Sequence, residues 1–511
     1  MILSSYLYEV IKERIEQNPG DDIFKILDSK GYIKSLDNNS ILGKLDYYSK
    51  FLEKFFGKIC IVYNEFNEDF VAFIIAAFKN NVKLLIRRTT IDLKNEIEKD
   101  LNNMKNVLPI DLYFSNEKLY EVKSDMFTDN SITCEYNFIQ LSSGTTQSSK
   151  AFCLSIDSLI KSAKHIEKVQ HVNKSSLIFS YLTFTHIYGF VSGFILPIIT
   201  GAVGIFCNTN FVKNDVSLIF KILSSEKITH ISLIANSLLE GLHNSNTDIE
   251  LSSLVCASLG GEKIDYVIFN KIKNGMIKLG MSKNALVNSY GMSEKGSITM
   301  EDPLRGNYIL KKDNRIYISA GDNIFEDTRV ITINDNYDVL NDDIIGMIAV
   351  SSPHIASCYY QESLLKKVNF ISIGNKKWYL NGDIGFIHRG KVFVTGRNIN
   401  TITYNGLKIS ADILNESILD FLCECGLKIN RCFCFNYPYH VNYVVCFLDY
   451  EGNIDEELKI KTLNKIINDY HIKITDFWNE HYIGVGIEKI SLSDIISKYT
   501  KYIEKSTNTD K

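Results

Sequence analysis

Short apolar runs alternate along the chain with longer stretches of helical periodicity. Lys58–Tyr63 (KICIVY) is an apolar run of strand length, Glu68–Lys79 repeats its apolar residues at helical spacing, and Lys83–Ile86 is a second short run. Strand, helix and strand in that order predict a parallel sheet with crossover helices. Ile110–Phe114 adds a strand inside the polar passage Asn102–Cys134, and the apolar stretch Tyr136–Leu141 follows it. Ser155–Val169 and Val216–Glu226 then read as helices, with Ser176–Tyr181, His230–Ile234 and Leu254–Leu259 as further strands. Ser4–Lys54 reads as helical around a polar interruption at Asn18–Asp22. After Gly346 the runs shorten, and Ile348–Ser351, Trp378–Leu380 and Gly385–Val394 predict β-rich structure. From Asn398 onward come short strands and two helices, Ala411–Cys423 and Glu457–Tyr470. The fold class is therefore α/β. A large N-terminal domain (residues 1–397) holds parallel α/β subdomains plus a β-rich subdomain, and a small α+β C-terminal domain spans 398–511.

The length, 511 residues, fits that division, because one compact core does not extend over so long a chain. A formal net charge of −4 gives no electrostatic case for nucleic acid or an anionic membrane. The eleven cysteines are scattered and odd in number, and the first apolar run meets Glu9 too early for a secretory segment. A reducing cytoplasm with free thiols is the expectation. Cys423, Cys425, Cys432 and Cys434 invite a zinc reading, but structural zinc sites more often space each pair by two residues. Cys432 and Cys434 alternate like one face of a strand, so small buried side chains are the better account. Tyr188–Cys207 carries no formal charge over twenty residues, yet four glycines and Pro197 break it. A buried helix followed by a buried strand is expected there, and no membrane span.

Chemistry concentrates in a few stretches. Directly after Leu141 comes S-S-G-T-T-Q-S-S-K, in which Ser142, Ser143, Gly144, Thr145, Thr146 and Lys150 supply hydroxyls, backbone N–H groups and a positive charge suited to wrapping an anion. It is not a mononucleotide P-loop, where lysine follows glycine directly. Downstream lie L-T-F-T-H-I-Y-G with His186, L-G-G-E-K with Gly260, Gly261 and Glu262, and N-S-Y-G-M-S-E with Asn288, Tyr290, Gly291, Ser293 and Glu294. Leu380–Asp383 (L-N-G-D), Thr395–Arg397 (T-G-R) and Leu492–Lys501 complete the series.

In this order the stretches resemble the motifs of the adenylate-forming superfamily, which comprises acyl- and aryl-CoA ligases, luciferases and peptide-synthetase adenylation domains. The likeness is closest to stand-alone members that activate acyl or aryl acids. The resemblance implies ATP and Mg²⁺, with Lys150 and the hydroxyl loop holding pyrophosphate and Glu294 binding the metal. It places Tyr290 and the Gly260–Glu262 segment at adenine, Asn288 and Gly291 in the same nucleotide site, Ser293 at phosphate, and Asp383 on the ribose hydroxyls. It gives His186 a place at the acid's carboxylate and Arg397 one at the ribose and α-phosphate. Lys498 becomes the catalytic lysine, with Lys501 as the substitute. It also implies a mobile C-terminal domain turning about Arg397–Asn400, with Gly406 in the loop presented to the site. The implied reaction activates a small carboxylic acid without an α-amino group, then passes it to coenzyme A or to a phosphopantetheine carrier protein acting in trans. The alternatives are a family member that binds ATP without turnover, and an enzyme that transfers the acyl group to an amine.

Overall fold

The structure is a computed structural model. It describes residues 3–27, 32–64, 66–88, 110–115, 117–122, 136–141, 151–207, 217–235, 249–264, 266–312, 315–356, 358–359, 370–397, 401–404, 407–436, 444–451, 456–470 and 476–479, with a few single positions between them. The chain divides into two compact units, one of residues 1–330, 350–379 and 388–393, the other of 331–349, 380–387 and 394–511.

The first unit is built on two sheets. One has eight strands in the order Gly296–Met300, Leu286–Met292, Cys256–Leu259, His230–Leu233, Leu177–Ser180, Val203–Cys207, Phe24–Leu27 and Ile33–Ser35. Its inner pairs are parallel, and only the strands at its two edges run antiparallel to their neighbours. The other has seven: Cys358–Tyr359, Ala151–Leu154, Phe138–Leu141, Lys83–Arg88, Ile59–Asn64, Leu112–Ser115 and Lys118–Glu121. Its middle pairs are parallel too, as the alternating pattern predicts. The crossover helix Glu68–Lys79 starts where the Asn67 side chain accepts the Phe70 N–H at 2.9 Å. Every residue from Phe70 to Phe78 is buried, so this helix is enclosed on all sides. One core cluster draws Val62, Leu84 and Phe138 from one sheet and Phe24, Ile178 and Phe206 from the other. Between them Phe190 stacks on Phe138 at 4.8 Å and on Phe194 at 5.2 Å, and Phe184 meets Phe206 edge-on at 5.2 Å.

The glycine-interrupted apolar stretch is a helix followed by the strand Val203–Cys207, as its pattern predicts. The helix is α over Ile187–Phe190, π over Val191–Ile195 and α again over Leu196–Thr200. Pro197 has no N–H to give to Gly193, and the Leu196 N–H reaches back five residues to the Val191 carbonyl. Among the described residues no helix is long and apolar enough to cross a membrane.

Three expectations need correction. Ser4–Lys54 is not wholly helical: Phe24–Leu27 and Ile33–Ser35 are strands between the helices Leu3–Gln17 and Asn38–Leu52. Phe24–Leu27 is too short to show a period of its own, and it is made a strand by pairing with Val203–Cys207. Gly385–Val394 is not one strand. Arg389 and Gly390 take left-handed backbone at φ 48° and 77°, turning Lys376–His388 back into Lys391–Arg397. Of the four cysteines read as small buried side chains, Cys432 and Cys434 are buried as expected, whereas Cys423 and Cys425 are exposed. The helix Tyr266–Lys278 and the strand Lys118–Glu121 are elements that the apolar pattern left unread.

In the second unit Lys428–Asn436 pairs antiparallel with Val444–Glu451, which pairs in parallel with Asp476–Asn479. The helices Ala411–Glu424 and Glu456–Tyr470 accompany this sheet. Leu414, Ile418, Leu422, Val444, Leu448 and Ile466 form its core.

Candidate active site

Three strand ends of the eight-stranded sheet in the first unit, with the loops that follow them, carry half of the implied residues. Ligands of open α/β sheets bind at such carboxyl ends. After Leu177–Ser180 the chain runs through Thr183 to His186, which is exposed and immediately precedes the helix at Ile187. The His186 N–H donates to the Thr183 carbonyl at 3.3 Å, and its carbonyl accepts the Phe190 N–H at 3.0 Å. Gln140, near the end of the strand Phe138–Leu141, donates its amide to the Thr185 carbonyl at 2.8 Å. That bond holds the His186 segment beside the strand from which the hydroxyl-rich stretch departs.

After Cys256–Leu259 come Gly260 and Gly261. A side chain at Gly260 would meet the Ser289 hydroxyl at 2.6 Å and the Tyr188 ring at 3.2 Å, so the close approach admits only glycine. Glu262 follows and is exposed. Tyr188 fills the space beside these glycines. Its phenol donates to the Ser258 carbonyl at 2.8 Å, and the hydroxyls of Ser232 and Ser289 lie close enough to hydrogen-bond it. Burial nonetheless raises the phenol's pKa, because these bonds offset only part of the lost hydration. Ser258 in turn donates to Ser289 at 3.2 Å, and Ser289 to the Leu259 carbonyl at 2.7 Å.

After Leu286–Met292 a turn at Ser293–Lys295 leads into Gly296–Met300, with a register shift between Tyr290 and Gly291. Tyr290 is buried and Gly291 is exposed, while Ser293 and Glu294 are half-buried. The Tyr379 hydroxyl donates to a Glu294 carboxylate oxygen at 2.8 Å, and the Ala356 N–H donates to the Glu294 carbonyl at 2.7 Å. The carboxylate is thus oriented from outside its own loop. Asn288 acts within the fold: its amide donates to the Ser319 carbonyl at 3.2 Å, and its own N–H donates to the Asn307 side chain at 2.8 Å. Behind the turn Lys295 is buried, donating to the Ser297 carbonyl at 2.7 Å, and its pKa falls to about 8 through burial. His165 stacks on Phe325 at 4.0 Å beside Ser297, and burial with the nearby Lys295 charge brings it down to about 3.

In the second unit the strand carrying L-N-G-D is held at Asp383 by its own neighbours. The Asn381 amide donates to the Asp383 carboxylate and the Asp383 N–H donates back to Asn381 at 3.0 Å. This reciprocal pair bends the chain at Gly382, which sits at φ 86°. Arg397 lies 3.3 Å from the Asp383 carboxylate, with its side chain 67% exposed against 9% for Asp383. The arginine is therefore open to a second anionic group while Asp383 is fixed in place.

Ser142, Ser143, Gly144, Thr145, Thr146 and Lys150 lie outside the described residues, as do Asn400, Gly406, Lys498 and Lys501. Sequence reasoning did not single out Tyr379, Asn381 or Ser258, which act through partners far away or two positions on. Only Asn381 left a signal, as a side-chain amide two residues before a carboxylate, a spacing that favours such a local pair.

A glutamate carboxylate held by a phenol suits Mg²⁺, a hard cation that takes one or two carboxylates together with substrate phosphates. The sequence profile of the AMP-binding enzymes matches residues 58–360. Gramicidin S synthase 2 of Brevibacillus brevis is 22% identical over 329 residues, 63% of this chain and 7% of that protein. Among solved structures, one from a study of fatty acyl-adenylate ligases of E. coli and L. pneumophila aligns at a TM-score of 0.76 and 13% identity, covering 97% of this chain and 98% of the other. The McyG A-PCP structure complexed with phenylalanyl-adenylate aligns at 0.73 and 15%, covering 99% and 84%. These likenesses establish the fold. With the profile spanning more than half of its residues, the chain belongs to the AMP-binding enzymes, the adenylate-forming superfamily whose motifs its sequence resembles.

Proposed function

We propose that the protein activates a carboxylic acid by attack of its carboxylate on the α-phosphorus of ATP, giving an acyl-adenylate and pyrophosphate. The acyl group then passes to a thiol, either coenzyme A or the phosphopantetheine of a carrier protein acting in trans. The observation that carries the reading is the Glu294 turn, in a motif within the matched family profile, with its carboxylate oriented by Tyr379.

Chemistry of this type needs positioning and neutralisation of charge more than covalent help. Glu294 would hold Mg²⁺, which when bound neutralises charge on the phosphate oxygens. Tyr290 and the Gly260–Glu262 segment would receive adenine. Ser142–Thr146, Lys150 and Ser293 would donate to the departing pyrophosphate. Asp383 would accept from both ribose hydroxyls, and Arg397 would donate to the ribose and α-phosphate. His186 would border the carboxylate of the acid, and Lys498 would offset the charge that develops between carboxylate and phosphate. Residues 398–511 would form the mobile domain that admits the thiol, in a reducing cytoplasm.

Ser232, Asn236 and Asn288 are polar positions of the sequence near the implied site, and they favour a small or hydroxylated acid over a long fatty chain. Acid-dependent exchange of labelled pyrophosphate into ATP, over aryl, short acyl, long acyl and amino acids, tests the reading. Exchange with a short acyl or aryl acid is the expected result, and exchange with long acyl acids alone would overturn the small-acid assignment. Binding without turnover is the second reading, favoured by Leu492–Lys501, which lacks the family's proline, threonine and glycine. Calorimetric ATP binding by the wild-type chain without pyrophosphate release would mark the second reading. In an active enzyme Lys498→Ala should strongly impair adenylation, and adenylation left intact would pass the role to Lys501.

A further inference from the structure

The second unit gathers three thiols that the proposed reaction does not use. Cys432 and Cys434 alternate along the strand Lys428–Asn436, so both side chains lie on one face. Cys446 stands directly opposite Cys434 on the neighbouring strand Val444–Glu451 and therefore shares that face. All three are buried at 0–5% exposure within the core that contains Leu414, Ile418, Val444 and Leu448. The three sulfurs lie within 4.8 Å of one another, and Cys432 Sγ and Cys446 Sγ are 3.7 Å apart. Two sulfurs on one tetrahedral zinc, each at about 2.3 Å, are separated by roughly 3.8 Å.

An oxygen adjoins the group. Asn415, on the helix Ala411–Glu424, accepts the Cys434 N–H on its Oδ1 at 2.6 Å, and the same oxygen lies 4.0 Å from the Cys432 sulfur.

We propose that Cys432, Cys434 and Cys446 form a binding site for a soft d¹⁰ cation, Zn²⁺ or Cu⁺. Thiolate sulfur is the preferred ligand of both ions. Zinc would take Asn415 Oδ1 as its fourth ligand, whereas Cu⁺ is satisfied by sulfur alone. The ion would tie the strands Lys428–Asn436 and Val444–Glu451 together and, with zinc, tie both to the helix Ala411–Glu424.

The test uses the full chain, stripped of metal under reducing conditions and titrated separately with Zn²⁺, Cu⁺ and, as a spectroscopic probe, Co²⁺. One ion per chain is expected, with a thiolate-to-cobalt charge-transfer band and a melting temperature that rises with metal concentration. The stoichiometry and the charge-transfer band are read on the wild-type chain and so are independent of any variant's folding. Cys446→Ser should weaken binding by 100-fold or more, and replacing the exposed Cys423 and Cys425 by serine should leave it unchanged. A tenfold or larger loss in Asn415→Ala marks the ion as zinc, and an unchanged affinity marks it as Cu⁺. Fewer than one ion in ten chains or no charge-transfer band would each overturn the site.

Discussion

Tyr188 and Phe190 stand two residues apart in one helix and enter regions built on opposite principles. Phe190 is fully buried among Phe138, Phe184 and Phe194, where dispersion and the exclusion of water act without direction and many aromatic shapes would serve. Tyr188 reaches three strand ends, where its phenol and the surrounding serines form directed hydrogen bonds beside two glycines. The first region contributes stability in proportion to the volume that it fills. The second contributes little stability and fixes where atoms stand. Substitutions in the two should accordingly fail in different assays.

The sharpest separation comes from the aromatic side. Phe190→Ala should cost about 3–5 kcal/mol of stability, read from the denaturant midpoint, because a large buried ring leaves a cavity that its neighbours fill only in part. A loss below about 1 kcal/mol would break the distinction. On the polar side, Glu294→Gln should lower pyrophosphate exchange about 10²–10³-fold, roughly 2.7–4 kcal/mol of transition-state stabilisation, while the midpoint stays within about 0.5 kcal/mol. A large stability change there would mean that Glu294 serves the fold instead.

His165 supplies a test by pH. Its folded pKa of about 3 lies below the ordinary value of 6.5, so between these values the unfolded chain binds more protons. Stability should therefore fall as pH drops from about 6.5 towards 3, by up to about 1.4 kcal/mol per unit from this residue. His165→Gln should remove that part of the slope, and identical slopes in the two chains would refute the burial argument. The smallest effect is expected from Tyr188→Phe. It removes one hydrogen bond to a buried carbonyl and should cost about 1 kcal/mol with the ring's packing preserved.

The parts of the fold that the sequence made legible are those whose cause is local. Glu68–Lys79 matches its predicted bounds because its apolar spacing and Asn67 cap are written within fifteen residues. The turn carrying Glu294 is legible for a similar reason, since its chemistry sits in seven consecutive positions. Phe24–Leu27 was missed because its partner strand determines it, and four residues carry no period. Tyr379 was missed because nothing near position 379 points to Glu294. Cys446 escaped notice in the same way: on paper it stands apart from the C-x-C pairs, and only the register of two strands sets it opposite Cys434.

The pairing of Phe24–Leu27 with Val203–Cys207 also carries a consequence for biosynthesis. The two strands are about 180 residues apart, and a ribosome adding about 5–20 residues each second needs roughly ten to thirty-five seconds to cover that distance. Arg14 faces the same delay, because two of its carbonyl partners, Pro197 and Ala202, are equally distant. Phe24–Leu27 is thus made long before its partner strand, while the strands from His230 to Met300 join the same sheet later still. Throughout that wait the apolar side chains of Ile23, Phe24 and Leu27 lack the native partners that bury them.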